Sequence, residues 1–149
     1  MFGKIVVPLD GSECADRAFE LALTLAKSEP AELAICSIVD PMIVAGTAPP
    51  SPAMDLVLTD RENEARRLVD NAVRQAQNAG VRAHGDTSLG VPFDEILRYA
   101  KHQRAGAIVM GTHGRTGLKR FFLGSVAESV LRGAQCPVVV IRDSDGATR

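Results

Sequence analysis

The residues of this 149-residue chain best suited to chemistry lie in one run: Gly111-Thr-His-Gly114, nine further residues, and then Gly124-Ser125. Glycine carries no Cβ, so at a strand end it turns through positive φ and lets the backbone approach a phosphate closely. A helix that opens at Ser125 presents unpaired N–H groups and a partial positive charge, so Ser125 and Val126 can donate to an anion, with the Ser125 hydroxyl as a further donor. Arg115, Lys119 and Arg120 add positive charge to the same run. That chemistry is anion binding, and polyphosphate is the natural target. Plainer readings stand beside it. Ser125 and Glu128 have capping-box spacing, and the three cations also fit an ordinary exposed cluster.

Other candidates are fewer. Asp10-Gly11 ends the first apolar run, where Asp10 can bend the turn, cap the following helix, or face a ligand. His113 lies inside the glycine run, but no Ser, Cys or carboxylate is spaced to make it a catalytic base, so no catalytic residue is assigned. His84 and His102 read as solvated or structural. Cys14, Cys36 and Cys136 are an odd, scattered set without a C-x-x-C pair, which reads as buried reduced thiols. A P-loop is excluded because G-x-x-x-x-G-K-[ST] is missing, and no G-x-G-x-x-G follows the first strand, which disfavours a dinucleotide-binding domain.

These residues need elements to hold them. KIVVPLD reads as a strand, and the next segment as a helix with Ala15, Ala18, Phe19, Ala22, Leu23 and Ala26 on one face. Leu33–Val39 is a second strand, followed by a Pro/Ala/Gly-rich loop over about 40–58. Thr59 and Glu62 then have capping-box spacing for a helix with Ala65, Leu68, Val69, Ala72, Val73 and Ala76 inward, which Gly80 stops. Val81–Ser88 reads as a weaker strand. Pro92–Gln103 reads as a helix with Phe93, Ile96, Leu97 and Ala100 inward, and Ala107–Met110 as a strand. A last helix carries Val126, Val130 and Leu131, and Pro137–Ile141 is the last strand. Strands alternating with helices predict an open parallel sheet of five strands covered on both faces. In such sheets ligands bind beyond the carboxyl ends of the strands, where the strand order reverses.

Composition bounds the rest. The length suits one domain, 1–143, with a polar tail at 144–149. No apolar run approaches the ~20 residues of a membrane span, and the chain opens without a secretory pattern, which predicts a cytoplasmic protein. A net charge of −1 offers no global attraction for nucleic acid or membrane.

The glycine run and its surroundings, GTHGRTGLKRFFLGSVAESVLRGAQCPVVVIR, resemble the universal stress protein family, and so do KIVVPLDGSECADRAFELAL and Gly90-Val-Pro. Gly111-x-x-Gly114, nine residues, then Gly124-Ser125 matches that family's ATP-binding signature. The resemblance implies an adenine nucleotide alpha hydrolase-like fold of Rossmann type with strand order 3-2-1-4-5. It also implies a nucleotide-responsive stress-response module, with a slow ATPase or nucleotidyl-transfer enzyme in the same pocket as the alternative. Position by position, Pro8 and Ile38 would border adenine, with the Ile38 backbone on its edge. Asp10 would stand by the ribose or by a phosphate-bound divalent ion, Mg or Mn. Met110 and Gly111 would lie near the sugar. His113, Gly114, Arg115, Gly124, Ser125 and Val126 would surround the phosphates. Finally, the resemblance implies a homodimer through Val138–Ile141.

Overall fold

The computed structural model describes residues 1–46, 49–113 and 123–142. Gly114, Arg115, Lys119, Arg120 and the tail at 144–149 lie outside the described residues. In chain order the elements are β1 (Lys4–Pro8), α1 (Glu13–Ser28), β2 (Glu32–Val39), α2 (Pro41–Ala45) and α3 (Pro52–Asn78), then β3 (Ala83–Leu89), α4 (Pro92–His102), β4 (Ala107–Gly111), α5 (Ser125–Gly133) and β5 (Val138–Ile141). The five strands are all parallel and run β3-β2-β1-β4-β5, the expected order.

Burial follows from position in that sheet. β1 lies at its centre, and Ile5, Val6 and Val7 are fully buried because helices cover both faces. Alternation along the strands divides the core in two. Ile5, Val7, Leu33, Ile35 and Val109 face α1 and α3. Val6, Ala34, Cys36, Ile108 and Met110 face α4 and α5. β3 forms one edge, and its sequence, AHGDTSL, is correspondingly polar and at least partly exposed throughout.

Several boundaries differ from the sequence expectation. The segment expected as a loop over 40–58 holds α2 and the first turns of α3. Asp40 accepts from the Met42 amide to cap α2, and Ser51 accepts from the Met54 amide at 3.2 Å to cap α3, with Pro52 in the first turn. Thr59 is therefore an interior residue, its hydroxyl donating to the Asp55 carbonyl at 2.9 Å rather than capping. The 27-residue α3 is about 40 Å long, and its buried positions begin only at Ala65, so its first turns run past the sheet with Leu56 and Val57 exposed. Val81 closes α3 instead of opening β3: Gly80 has φ +83 and the Val81 amide donates to the Ala76 carbonyl at 2.9 Å. Phe93 and Leu131, expected inward, are 38% and 42% exposed because Ile96, Ala100, Ala127 and Val130 take the buried face.

His84 is structural. Its Nδ1 pairs with the Glu32 carboxylate and its Nε2 lies 2.9 Å from Gln103 Oε1, which also accepts from Lys4 Nζ at 3.1 Å. These side chains tie β1, β2 and β3 to the end of α4.

Candidate nucleotide site at the carboxyl ends of β1 and β4

Three chain segments meet where the strand order reverses. The first is the turn from β1 into α1. Asp10 Oδ1 accepts from the Ser12 amide at 2.9 Å, Gly11 takes φ +81, and Ser12 accepts from the Ala15 amide at 3.2 Å. Ser12 therefore caps α1, while Asp10 shapes the turn and stays exposed. The second segment continues β4 through Gly111, Thr112 and His113. A Cβ on Gly111 would stand 2.6 Å from Cys14 Cβ, so glycine there lets the end of β4 abut the first turn of α1. The Thr112 amide donates to the Ile141 carbonyl at 2.8 Å, and the Thr112 hydroxyl lies 3.6 Å from Cys14 Sγ. His113 is 8% exposed and its carbonyl accepts from the Ser12 hydroxyl at 3.3 Å.

The third segment is the start of α5. Gly124, not Ser125, is the N-cap; its amide donates to the Thr112 carbonyl at 2.9 Å and its own carbonyl accepts from Glu128 at 2.9 Å. No side chain caps this helix, so the expected Ser125–Glu128 capping box is not formed. The amides of Ser125, Val126 and Ala127 have no intrahelical acceptor by helix geometry and no partner among the described residues. Ser125 is exposed, its hydroxyl uncommitted. Three oriented donors at the positive end of a helix dipole form an anion receptor.

The expected residues that are described come together on one side. Ile38, Met110 and Val126 belong to the core on the α4–α5 face, and Pro8 shares the face of Val6 by alternation. Asp10, Gly111, His113, Gly124 and Ser125 line the adjoining strand ends. Gly124 donates its amide to the Thr112 carbonyl and so fixes the start of α5 against the turn after β4. Among the described residues His113 Nδ1 is buried without a hydrogen-bond partner. Ser12, Thr112 and Cys14 were not singled out from the sequence as parts of the site. Ser12 carried a usable signal, a cap residue just before an apolar-periodic helix; the other two carried none.

The potential around the crevice is mixed. Burial, with Asp10, Glu13 and Glu20 nearby, pushes the Asp16 carboxyl above its ordinary range, so the first turns of α1 present crowded negative charge beside the turn that holds Asp10. Among the described residues no three His, Cys, Asp or Glu side chains converge on a metal position. A divalent ion at Asp10 would thus draw most of its ligands from phosphate oxygens and water, as Mg characteristically does. No described helix is long and apolar enough to cross a membrane.

Comparison with known proteins agrees with the fold. Residues 1–142 match the sequence profile of the universal stress protein family. Universal stress protein MJ0531 of Methanocaldococcus jannaschii is 37% identical over 142 residues, covering 95% of this chain and 83% of its own. Among solved structures, protein MJ0577 superposes with a TM-score of 0.87 at 26% identity, over 97% of this chain and 99% of its own. The Archaeoglobus fulgidus universal stress protein in complex with dAMP superposes with a TM-score of 0.65 at 22% identity, over 95% of this chain and 98% of its own; that likeness speaks for the fold.

Proposed function

This chain belongs to the universal stress protein family, and on that premise we propose that it binds an adenine nucleotide, ATP foremost, and acts as a nucleotide-responsive module in the stress response. The observation that carries the proposal is the uncapped start of α5, where the amides of Ser125, Val126 and Ala127 have no partner among the described residues, the Ser125 side chain is exposed, and Gly124 packs on the backbone of His113. A triphosphate satisfies such donors, and a helix dipole adds to the attraction. Pro8 and Ile38 then border the base, Met110 and Gly111 the sugar, and Ser125 and Val126 hold phosphate. Gly114 and Arg115 complete the phosphate contacts in this reading. Asp10 faces the ribose or a Mg or Mn ion carried by the phosphates. Gly124 acts indirectly, by fixing α5 against Thr112.

Binding energy gathered this way orients a nucleotide without supplying an attacking group. Phosphoryl transfer also needs a positioned nucleophile and charge stabilisation at the transferred group. The proposed role is accordingly recognition: occupancy reports nucleotide level by changing the surface offered to a partner.

Equilibrium titration of the full chain with fluorescent ATP tests the reading. Saturable binding that Ser125→Asp abolishes in a protein of unchanged fold supports it. Wild-type protein that is well folded and shows no saturation overturns it.

A further inference from the structure

A second cleft, of about 550 Å³, lies along α4 and is bordered by Ala105 and by the segment Gly133 to Cys136 at and beyond the end of α5. It opens at the amino ends of the strands, about 13 Å along α5 from the proposed phosphate site. Its floor is apolar, formed by Leu97, Ala105, Ile108 and Cys136. Its rim is basic, with Arg98, Lys101 and Arg104 against the single carboxylate of Asp94. The cleft is half open to solvent, and an apolar lining with a few fixed charges is chemistry that small-molecule sites use.

The cations are not equivalent. Arg98 is engaged by Glu95 at 3.0 Å and Asp94 at 3.9 Å. Lys101 and Arg104 have no ion pair or side-chain hydrogen bond among the described residues. Basic residues at the end of a helix balance its dipole, which accounts for Lys101. It does not account for Arg104, which has φ 52 and is the described non-glycine residue found in the left-handed region. There it closes α4, its amide donating to the Lys101 carbonyl at 3.1 Å while Ala105 donates to Ala100 at 2.9 Å. Glycine fills that position at no steric cost. An arginine kept in a strained conformation, with its charge unpaired at the mouth of a cleft, points to a ligand.

We propose that this cleft binds a small organic anion with an apolar body, its chain on Leu97, Ala105 and Cys136 and its anionic head between Lys101 and Arg104. Charge selects the class: a cation of the same shape meets Lys101 and Arg104 unfavourably, and a bare inorganic anion leaves the floor unused.

The test is titration of the ¹⁵N-labelled full chain with octanoate, octylammonium and inorganic phosphate, read by amide shifts at Leu97, Ala105 and Cys136. Octanoate is expected to give saturable shifts below the concentration at which it aggregates, and octylammonium none. Lys101→Gln with Arg104→Gln should weaken octanoate by about fivefold to tenfold, the effect of losing two exposed charge contacts. Arg104→Gly should weaken octanoate while raising the unfolding midpoint, a combination that a purely structural arginine does not produce. The proposal is overturned if octanoate does not saturate, if octylammonium or phosphate shifts these amides equally, or if the double variant binds octanoate as tightly as wild type.

Discussion

Gly124 and Thr112 are joined backbone to backbone at 2.9 Å, and a Cβ on Gly124 would run into the Thr112 carbonyl oxygen. The glycine thus serves packing before any ligand arrives. Gly124→Ala is expected to lower stability by about 1–3 kcal/mol, the usual cost of forcing an atom into a closed contact. Urea unfolding of the free protein measures it. An alanine variant as stable as wild type would show that the loop gives way and that the contact is not restrictive.

Ser125 separates binding from folding where Gly124 cannot. Its side chain is exposed and makes no cap bond. A carboxylate in the first turn of a helix stabilises it by about 0.3–1 kcal/mol, yet that same charge repels a phosphate. Ser125→Asp should therefore be slightly more stable than wild type and fail to bind ATP. Loss of both together would remove the basis for assigning Ser125 to the ligand.

Ser12 joins α1 to the turn after β4, accepting from Ala15 and donating to the His113 carbonyl. Ser12→Ala loses both bonds, and the missing cap should cost about 1 kcal/mol. Ser12→Asp restores the cap acceptor but has no proton to donate at neutral pH, so stability should return while ATP affinity does not. Recovery of affinity along with stability would reduce Ser12 to a cap.

Tyr99 provides a pH signature. Burial, with Cys36 and Asp86 nearby, pushes its phenol above the ordinary value of 10.0. A group whose pKa is raised on folding contributes stability fully present below the unfolded value and lost as pH rises through the folded one. Wild type should lose stability with increasing steepness above about pH 10, and Tyr99→Phe should lose less over that window. Cys36, whose thiol is also pushed up by burial, begins to act at lower pH and is common to both proteins. Parallel curves above pH 10 would contradict the assignment.

The proposed homodimer places Val138–Ile141 across a twofold axis. β5 pairs with β4 on one side, through Ile108 to Pro137 and Thr112 to Ile141. By ladder alternation the amides of Val138 and Val140 point to the outer edge. Val139 and Ile141 pack against the α1–α3 core and Val138 and Val140 against the α4–α5 core, so a charge at any of the four would damage the fold as well as an interface, and the variant must stay apolar. Val140→Pro removes an outward donor and keeps an edge-compatible backbone. Sedimentation at micromolar concentration should show a dimer for wild type and a folded monomer for this variant. A monomeric wild type would refute the pairing.

Much of this protein was legible from residue order. Continuous apolar runs such as Ile5–Val7, alternating with helical stripes such as Ala15 to Ala26, determine a parallel sheet covered on both faces, because periodicity and burial are local properties of the chain. The glycine spacing at Gly111 and Gly124 likewise marked the end of β4 and the start of α5. Local reading failed where a cap or a turn had two claimants. Asp10 and Ser12 both suit a helix start, and Ser51 and Thr59 both precede apolar stripes; which one caps depends on where the sheet lets the helix begin. The meaning of the glycines was also decided only in three dimensions. Gly111 is small for Cys14 and Gly124 for Thr112, partners about 100 and 12 positions away in the chain, and spacing cannot tell close packing from close approach to a phosphate. The basic rim of the cleft, Arg98, Lys101 and Arg104, follows the spacing of α4, but the cleft itself was not legible, since its remaining lining comes from Ala105, β4 and the segment after α5, which only the tertiary fold sets beside α4.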